Sequence, residues 1–192
     1  YTVSEKKIAG SPRLLAVTAT ATRLDQLHTF VFHLRSGGAK LIMVEPVFLA
    51  FVRTMSQAQK LIPEKPYGLV FIDADGSVNI TIMRGEHVYL SRDFILSGER
   101  REAETRFYEE LRASFDFLTR SLGVGPVERV FLAGSGDLIF WGDFLANTFG
   151  REVHFEQALF PTKRDVSGNI LSALVIPIGL ALRRFGLKAP LK

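Results

Sequence analysis

Two short turns that contain glycine carry the residue types that could bind a phosphate or a metal ion. The first is Asp73-Ala74-Asp75-Gly76-Ser77, which closes one apolar segment and opens the next. Such a turn can wrap a phosphate with backbone N–H groups, or hold Mg²⁺ through a carboxylate and water. An Asp-Gly turn between two strands is also common in ordinary hairpins. Without further context, the ordinary hairpin is the favoured interpretation.

The second turn, Gly134-Ser135-Gly136, follows the apolar segment Val127–Ala133 and precedes a predicted helix. Glycine lets the backbone approach a ligand, and a helix N-terminus attracts an anion. The GxxxxGK[ST] motif of a P-loop and the third glycine of a dinucleotide fingerprint are both absent. Ser135 also lacks the GxSxG context of a nucleophile. The sequence therefore predicts a weak anion site and no catalytic residue.

Composition excludes several other functions. The 192 residues include no cysteine, so thiolate catalysis and disulfides are excluded, and four scattered histidines predict no metal site. Twenty-four Lys and Arg against 20 Asp and Glu give a net charge of only +4, which does not favour a nucleic-acid partner. The longest apolar run, Leu171–Leu182, is too short to span a bilayer and contains Pro177. We expect a cytoplasmic protein, and Tyr1 in place of Met suggests a fragment.

The first sixty residues predict a partial subdomain. Its expected elements are a buried strand at Arg13–Thr20, a helix at Thr22–Arg35 stopped by Gly37-Gly38, a strand at Lys40–Val44 and a helix at Val47–Met55. Leucines and valine at helical spacing predict one buried stripe on the first helix: Leu24, Leu27, Val31 and Leu34. Phe30 and Phe32 add apolar area around that stripe. Because Leu61–Pro66 resembles a linker, we predict a domain boundary after residue 60.

Residues 61–192 predict a second subdomain with the element order of a ribonuclease-H-like α/β fold. Three strands should form an antiparallel meander through Phe71, Ile80 and Tyr89, and a fourth strand through Val130 should lie in the same sheet. A long helix is expected from Glu99 to Leu122. The remaining predicted elements are a helix at Phe140–Phe149, a strand at Glu152–Phe155 and a final helix at Asn169–Phe185.

Four segments, in order, resemble a known family. The chain from Arg13 to Arg53, ending EPVFLAFVR, is similar to the strand-helix-strand segment of PilM and its cell-division relative FtsA that leads into an EPxALxR-style helix. The segment GLVFIDADGSVNITIMRGEHVYLSRDFILSGE resembles that family's second phosphate hairpin. VERVFLAGSGDLIFWGDFLANTFGREVHF resembles its adenosine segment, and VIPIGLALRRFG its closing helix. The resemblance implies an actin-like ATPase fold, reduced relative to the full family.

The resemblance also implies a degenerate nucleotide site. Its residues would be Asp73, Asp75, Gly76, Ser77, Gly134, Ser135 and Gly136, with ATP and Mg²⁺ as cofactors if a segment upstream of Tyr1 completed the site. Ala74-Asp75 stands where the family has a hydrophobic residue and glycine, Asn79 stands where it has threonine, and only one helix fits between Gly98 and Val127. The carboxylate of Asp75 would repel a triphosphate unless a metal ion lay between them.

Two functions follow from this resemblance. In the first, the chain is a cytoplasmic scaffold of a type IV pilus or related secretion platform, peripheral at the inner membrane through a PilN-like partner. It neither binds nucleic acid nor inserts into the membrane itself, and self-association stays open. Partner contacts are expected at Phe30, Phe32 and Phe48. In the second, an upstream segment completes an active ATPase. The departures from the family pattern favour the scaffold.

Overall fold

The chain divides into two compact units. The computed structural model describes residues 2–6, 14–18, 22–57, 62, 64–85, 87–156 and 172–183. One unit comprises Tyr1–Pro46 with Lys192, and the other comprises Val47–Leu191. The division therefore falls after Pro46 rather than after residue 60, because the helix from Val47 belongs with the second unit. No helix within the described residues is long and apolar enough to cross a membrane.

The first unit contains a hairpin and one helix. Strands β1 (Thr2–Lys6) and β2 (Leu14–Thr18) pair antiparallel, with Thr2 opposite Thr18. Helix α1 (Leu24–Ser36) ends at Gly37, whose N–H donates to the carbonyl of His33 at 3.0 Å. Gly38 follows with φ of +80°, a conformation that glycine adopts readily. The predicted strand, helix and glycine stop are thus confirmed.

The predicted strand at Lys40–Val44 is wrong, because this segment has no regular secondary structure. A strand is stabilised by pairing, and within the described residues no third strand joins the sheet of β1 and β2. The side chains of Ile42, Met43 and Val44 are exposed. The apolar composition of the segment therefore marks solvent-facing surface in this unit rather than a buried strand.

The second unit is built on a five-stranded mixed sheet. Its strand order is β5-β4-β3-β6-β7, with antiparallel pairing in the β3–β4–β5 meander and parallel pairing of β6 with β3 and with β7. The predicted meander and the position of Val130 beside it are confirmed, as is the ribonuclease-H-like arrangement. The strands are β3 (Tyr67–Ile72), β4 (Ser77–Arg84), β5 (His87–Ile95), β6 (Arg129–Gly134) and β7 (Glu152–Phe155).

Helices cover the two faces of this sheet. On one face lie α3 (Arg100–Asp116), continued by a π-helical turn at Phe117–Ser121, and α4 (Leu138–Phe149). The stripe predicted for the long helix is buried as expected: Phe107, Leu111, Phe115 and Leu118. Residues 96–99 alone join β5 to α3, so no subdomain is inserted there. The last predicted helix is described from Ser172, and its ends at 169–171 and 184–185 lie outside the described residues.

The opposite face carries α2 (Val47–Gln57) and α5 (Val175–Arg183), which pack against each other and against Tyr67, Leu69 and Phe131. Hydrogen bonds join the two helices at two points. The Thr54 hydroxyl donates to the carbonyl of Val175 at 2.8 Å, and the buried Arg53 guanidinium donates to the carbonyl of Gly179 at 2.6 Å. These contacts explain why α2 belongs with the second unit.

Candidate functional site

The two glycine turns lie together at one edge of the sheet. Because β3 and β6 are parallel neighbours, with Ile72 opposite Gly134, the turns that follow them meet. The Ser135 hydroxyl donates to Asp73 Oδ1, and the N–H of Ala74 is bonded both to that same carboxylate oxygen at 2.8 Å and to Ser135 Oγ at 2.9 Å. We call this arrangement, residues 73–77 with 134–136, the turn pair.

Most backbone N–H groups of the turn pair already have acceptors within the chain. Asp73 donates to the carbonyl of Ser77 at 2.8 Å, and Gly76 donates to the carbonyl of Asp73 at 3.0 Å. The N–H groups of Ser135 and Gly136 both donate to the carbonyl of Ile72, at 3.0 and 3.1 Å. A phosphate-binding turn works by presenting N–H groups that lack internal partners. In the turn pair these N–H groups are bonded within the chain and are therefore not available to a phosphate.

The charge of the turn pair also opposes an anion. The N–H of Ser77 donates to Asp75 Oδ1 at 2.8 Å, and this bond, followed by the Ser77 hydroxyl, holds the pKa of Asp75 below its ordinary value. Asp75 is therefore ionised at neutral pH, and Asp73 is a second carboxylate in the same turn. A nucleotide phosphate would meet repulsion from these groups as well as amides that are already bonded.

We expect isothermal titration calorimetry with Mg-ATP to show no binding in the micromolar range, where a dissociation constant of 1 µM corresponds to about −8.2 kcal/mol. The bonded amides of the turn pair and its carboxylates are the physical reason. The variant Asp75→Asn removes one of the two carboxylates but leaves the amides bonded within the chain and Asp73 in place, so it should also show no micromolar binding. Micromolar binding in either protein would contradict this prediction.

A ladder of polar side chains lies on β4 and β5, on the α2 face of the sheet. The amide of Asn79 donates to Asp93 Oδ1 at 2.8 Å and to the Ser91 hydroxyl at 3.2 Å, and accepts from the Thr81 hydroxyl at 2.9 Å. Asn79 and Thr81 are buried, so these bonds satisfy groups that would otherwise be costly to bury. The sequence signal was the alternation of polar residues along both strands, which the strand pairing brings together.

The three predicted partner residues differ in how far their side chains are buried. Phe30 and Phe32 are 57% and 66% exposed on α1, so their rings are available to solvent. Phe48 is only 5% exposed and packs in the core of the second unit with Phe51 and Met55. Its side chain offers no docking surface, and its apolar character reflects core packing instead. The helix stripe predicted to be buried is half-buried at Leu27, Val31 and Leu34 and exposed at Leu24.

Comparison with known proteins supports the fold and reaches no further. No protein-family model and no curated protein sequence matches the chain. Among solved structures, it is similar to the PilM–PilN type IV pilus biogenesis complex, with a TM-score of 0.66 and 18% identity over 82% of this chain and 57% of the other.

Two further solved structures share the fold. EutJ, an ethanolamine utilization protein from Carboxydothermus hydrogenoformans, matches with a TM-score of 0.51 and 16% identity over 84% of this chain and 62% of its own. MreB5 of Spiroplasma citri bound to ADP matches with a TM-score of 0.53 and 10% identity over 88% and 67%. The chain spans less than two thirds of the first two of these structures. With its five-stranded mixed sheet and flanking helices, it has an actin-like ATPase fold.

Proposed function

We propose that this chain is a PilM-like scaffold of a type IV pilus or related secretion platform. In this function it binds the cytoplasmic segment of an inner-membrane protein of the PilN kind, and so lies in the cytoplasm at the membrane surface. The observation that carries the proposal is the exposed aromatic area on α1, in Phe30 and Phe32. The similarity to the PilM–PilN complex supports the choice of partner.

The exposed apolar side chains of the first unit are not limited to Phe30 and Phe32. No residue of α1 is buried, and Leu24 and Ile42 are also strongly exposed. A few large side chains that lose water on binding supply most of the energy of an interface. Phe30 and Phe32 fit that role, since each ring carries a large area on a short, stiff side chain.

The turn pair supports a scaffold rather than an enzyme. Its amides are bonded internally, so a nucleotide is not needed to hold its shape, and its two carboxylates disfavour a phosphate. The alternative function is an ATP-binding or ATP-hydrolysing protein, completed by a segment upstream of Tyr1. The similarity to MreB5, whose solved structure is bound to ADP, favours that alternative. We place it second because the fold by itself does not establish activity.

Replacing Phe32 with serine should weaken partner binding about tenfold or more, or ~1.4 kcal/mol. The change should cost within ~0.5 kcal/mol of folding free energy, because the side chain is mostly exposed. The measurement is fluorescence anisotropy with a labelled peptide that carries the cytoplasmic segment of a PilN-like protein from the same organism. Melting temperatures are recorded in parallel.

Ile139→Ser is the matched control, since Ile139 is 71% exposed on α4 in the second unit. This variant should change neither binding nor melting temperature. Unchanged peptide binding by Phe32→Ser at an unchanged melting temperature would place the docking surface away from α1. A fallen melting temperature with unchanged binding would make Phe32 a structural residue.

A further inference from the structure

A pocket of about 480 Å³ opens between the start of α2 and the ends of the meander strands, wholly within the second unit. Its volume lies in the range of pockets that hold a small ligand or a side chain of a partner. The lining combines apolar walls with a few polar groups: Val47, Phe71, Val78, Phe94 and Ile95, and Asp73, Ser77, Asn79 and Asp93. The lining of the pocket, which we call the groove, therefore mixes apolar and polar side chains.

The charged residues that line the pocket all have the same sign. Asp73 and Asp93 both contribute carboxylates, and no lysine, arginine or histidine is among the lining residues. Each carboxylate has one oxygen engaged, Asp73 Oδ1 by Ser135 and Ala74, and Asp93 Oδ1 by Asn79. Within the described part of the chain, neither carboxylate forms an ion pair. The groove thus offers acceptors and negative charge without a cation of its own.

The chain fixes Asp93 before any ligand arrives. Asn79, which is 4% exposed, holds the carboxylate at 2.8 Å and is itself held by Thr81 and Ser91. A side chain that is already ordered loses little conformational entropy when a ligand binds, so its contact contributes more to affinity. The polar ladder therefore positions one acidic wall of the groove. Phe71 and Val47 supply an apolar wall that suits a hydrocarbon stem.

We propose that this groove takes a cationic side chain, arginine or lysine, from the bound partner segment, an inference that rests on the proposed scaffold function. Both side chains bury an apolar stem while keeping the charged group in polar surroundings, and Asp93 beside Phe71 and Val47 offers both kinds of contact. Cytoplasmic segments close to a membrane span are enriched in lysine and arginine. The charge complementarity between such a segment and a groove with two carboxylates is the reason for choosing this occupant.

The test uses the intact chain and two probes, pentapeptides with a central arginine or glutamine between leucines and with blocked ends. The arginine peptide should bind at least about tenfold tighter than the glutamine peptide, and raising the salt concentration should reduce that difference. Asp93→Asn removes the charge and keeps an oxygen for Asn79, so it should weaken the arginine peptide about tenfold. Equal binding of the two peptides, or no effect of Asp93→Asn, would overturn the proposal.

Asp143→Asn is the matched control, because Asp143 is an exposed carboxylate on α4 outside the groove. It should leave the arginine peptide unaffected. Acetylarginine amide is titrated separately, and if it binds as tightly as the peptide, the ligand is a free cation and the partner assignment is overturned. Phe32→Ser should not change peptide binding. Loss of partner capture by Phe32→Ser with full capture by Asp93→Asn would retain the scaffold function and remove the groove from it.

Discussion

Gly134→Ala is expected to destabilise the second unit by roughly 4 kcal/mol or more, which is in the exceptional range for a single substitution. Two causes act together. Gly134 has φ of +137°, a backbone conformation that residues with a side chain rarely adopt. A Cβ built there would also lie 1.8 Å from the carbonyl oxygen of Ile72. That oxygen also accepts the N–H groups of Ser135 and Gly136, so relieving the clash would break the turn pair.

The measurement is the midpoint of chemical denaturation, or the yield of folded protein if the variant does not survive purification. Gly150→Ala separates the two causes, because Gly150 has φ of +60° and no atom within 4 Å of a Cβ added there. This control should lower the free energy of unfolding by only about 1 kcal/mol, because alanine is less stable than glycine in a left-handed conformation. Equal losses in the two variants would show that the contact with Ile72 is unimportant.

Gly179→Ala should also destabilise the protein, by roughly 3 kcal/mol, which is the upper part of the usual range for overpacking a core. A glycine-to-alanine change within a helix usually has the opposite effect. In a helix interior, alanine is ordinarily favoured over glycine by about 1 kcal/mol. At Gly179, however, a Cβ would lie 1.9 Å from the carbonyl oxygen of Ala50, where α5 meets α2. The helices would have to separate, which would disturb the bonds from Arg53 and Thr54 to α5.

Gly142→Ala is the control for this second experiment. A Cβ at Gly142 meets the far end of the Phe155 ring at 2.5 Å, but Phe155 is about half exposed and can move. The Gly142→Ala substitution should therefore leave the free energy of unfolding nearly unchanged. Urea denaturation curves of the three proteins give the comparison. A stabilised Gly179→Ala variant would mean that α2 and α5 are not in close contact in solution.

The sheet was predictable from sequence because its signals are local. Glycine turns separate the meander strands, and the apolar runs Gly68–Ile72 and Val127–Ala133 have the composition of strands covered on both faces. The long charged helix shows its stripe at Phe107 and Leu111, which the structure buries. In each case the local pattern agrees with the surroundings that the fold supplies.

The failed predictions depend on contacts between distant residues. Lys40–Val44 has the composition of a strand, but composition does not provide a neighbouring strand to pair with. Phe48 was predicted to be a partner contact, but residues of α5 and β6 pack against it and bury it, which its own segment does not indicate. The boundary after residue 60 followed a proline-rich linker, whereas the bonds from Arg53 and Thr54 to α5 join residues more than a hundred positions apart.

The candidate site was only half visible in the sequence. Both glycine turns could be found, because glycine and aspartate at strand ends are local signals. The bond from Ser135 to Asp73 joins two turns across the sheet, and it decides whether those turns can accept an anion. The groove is likewise formed by residues of α2 and of three strands, and no single segment indicates it.

The internally bonded turn pair has a consequence for stability. A protein that needs a bound nucleotide to hold its loops gains stability as ligand concentration rises. The turn pair here is held by the chain itself, through Asp73, Ser135 and the carbonyl of Ile72. We therefore expect the free energy of unfolding to stay the same when ATP or ADP is added, which a melting curve with and without nucleotide would check.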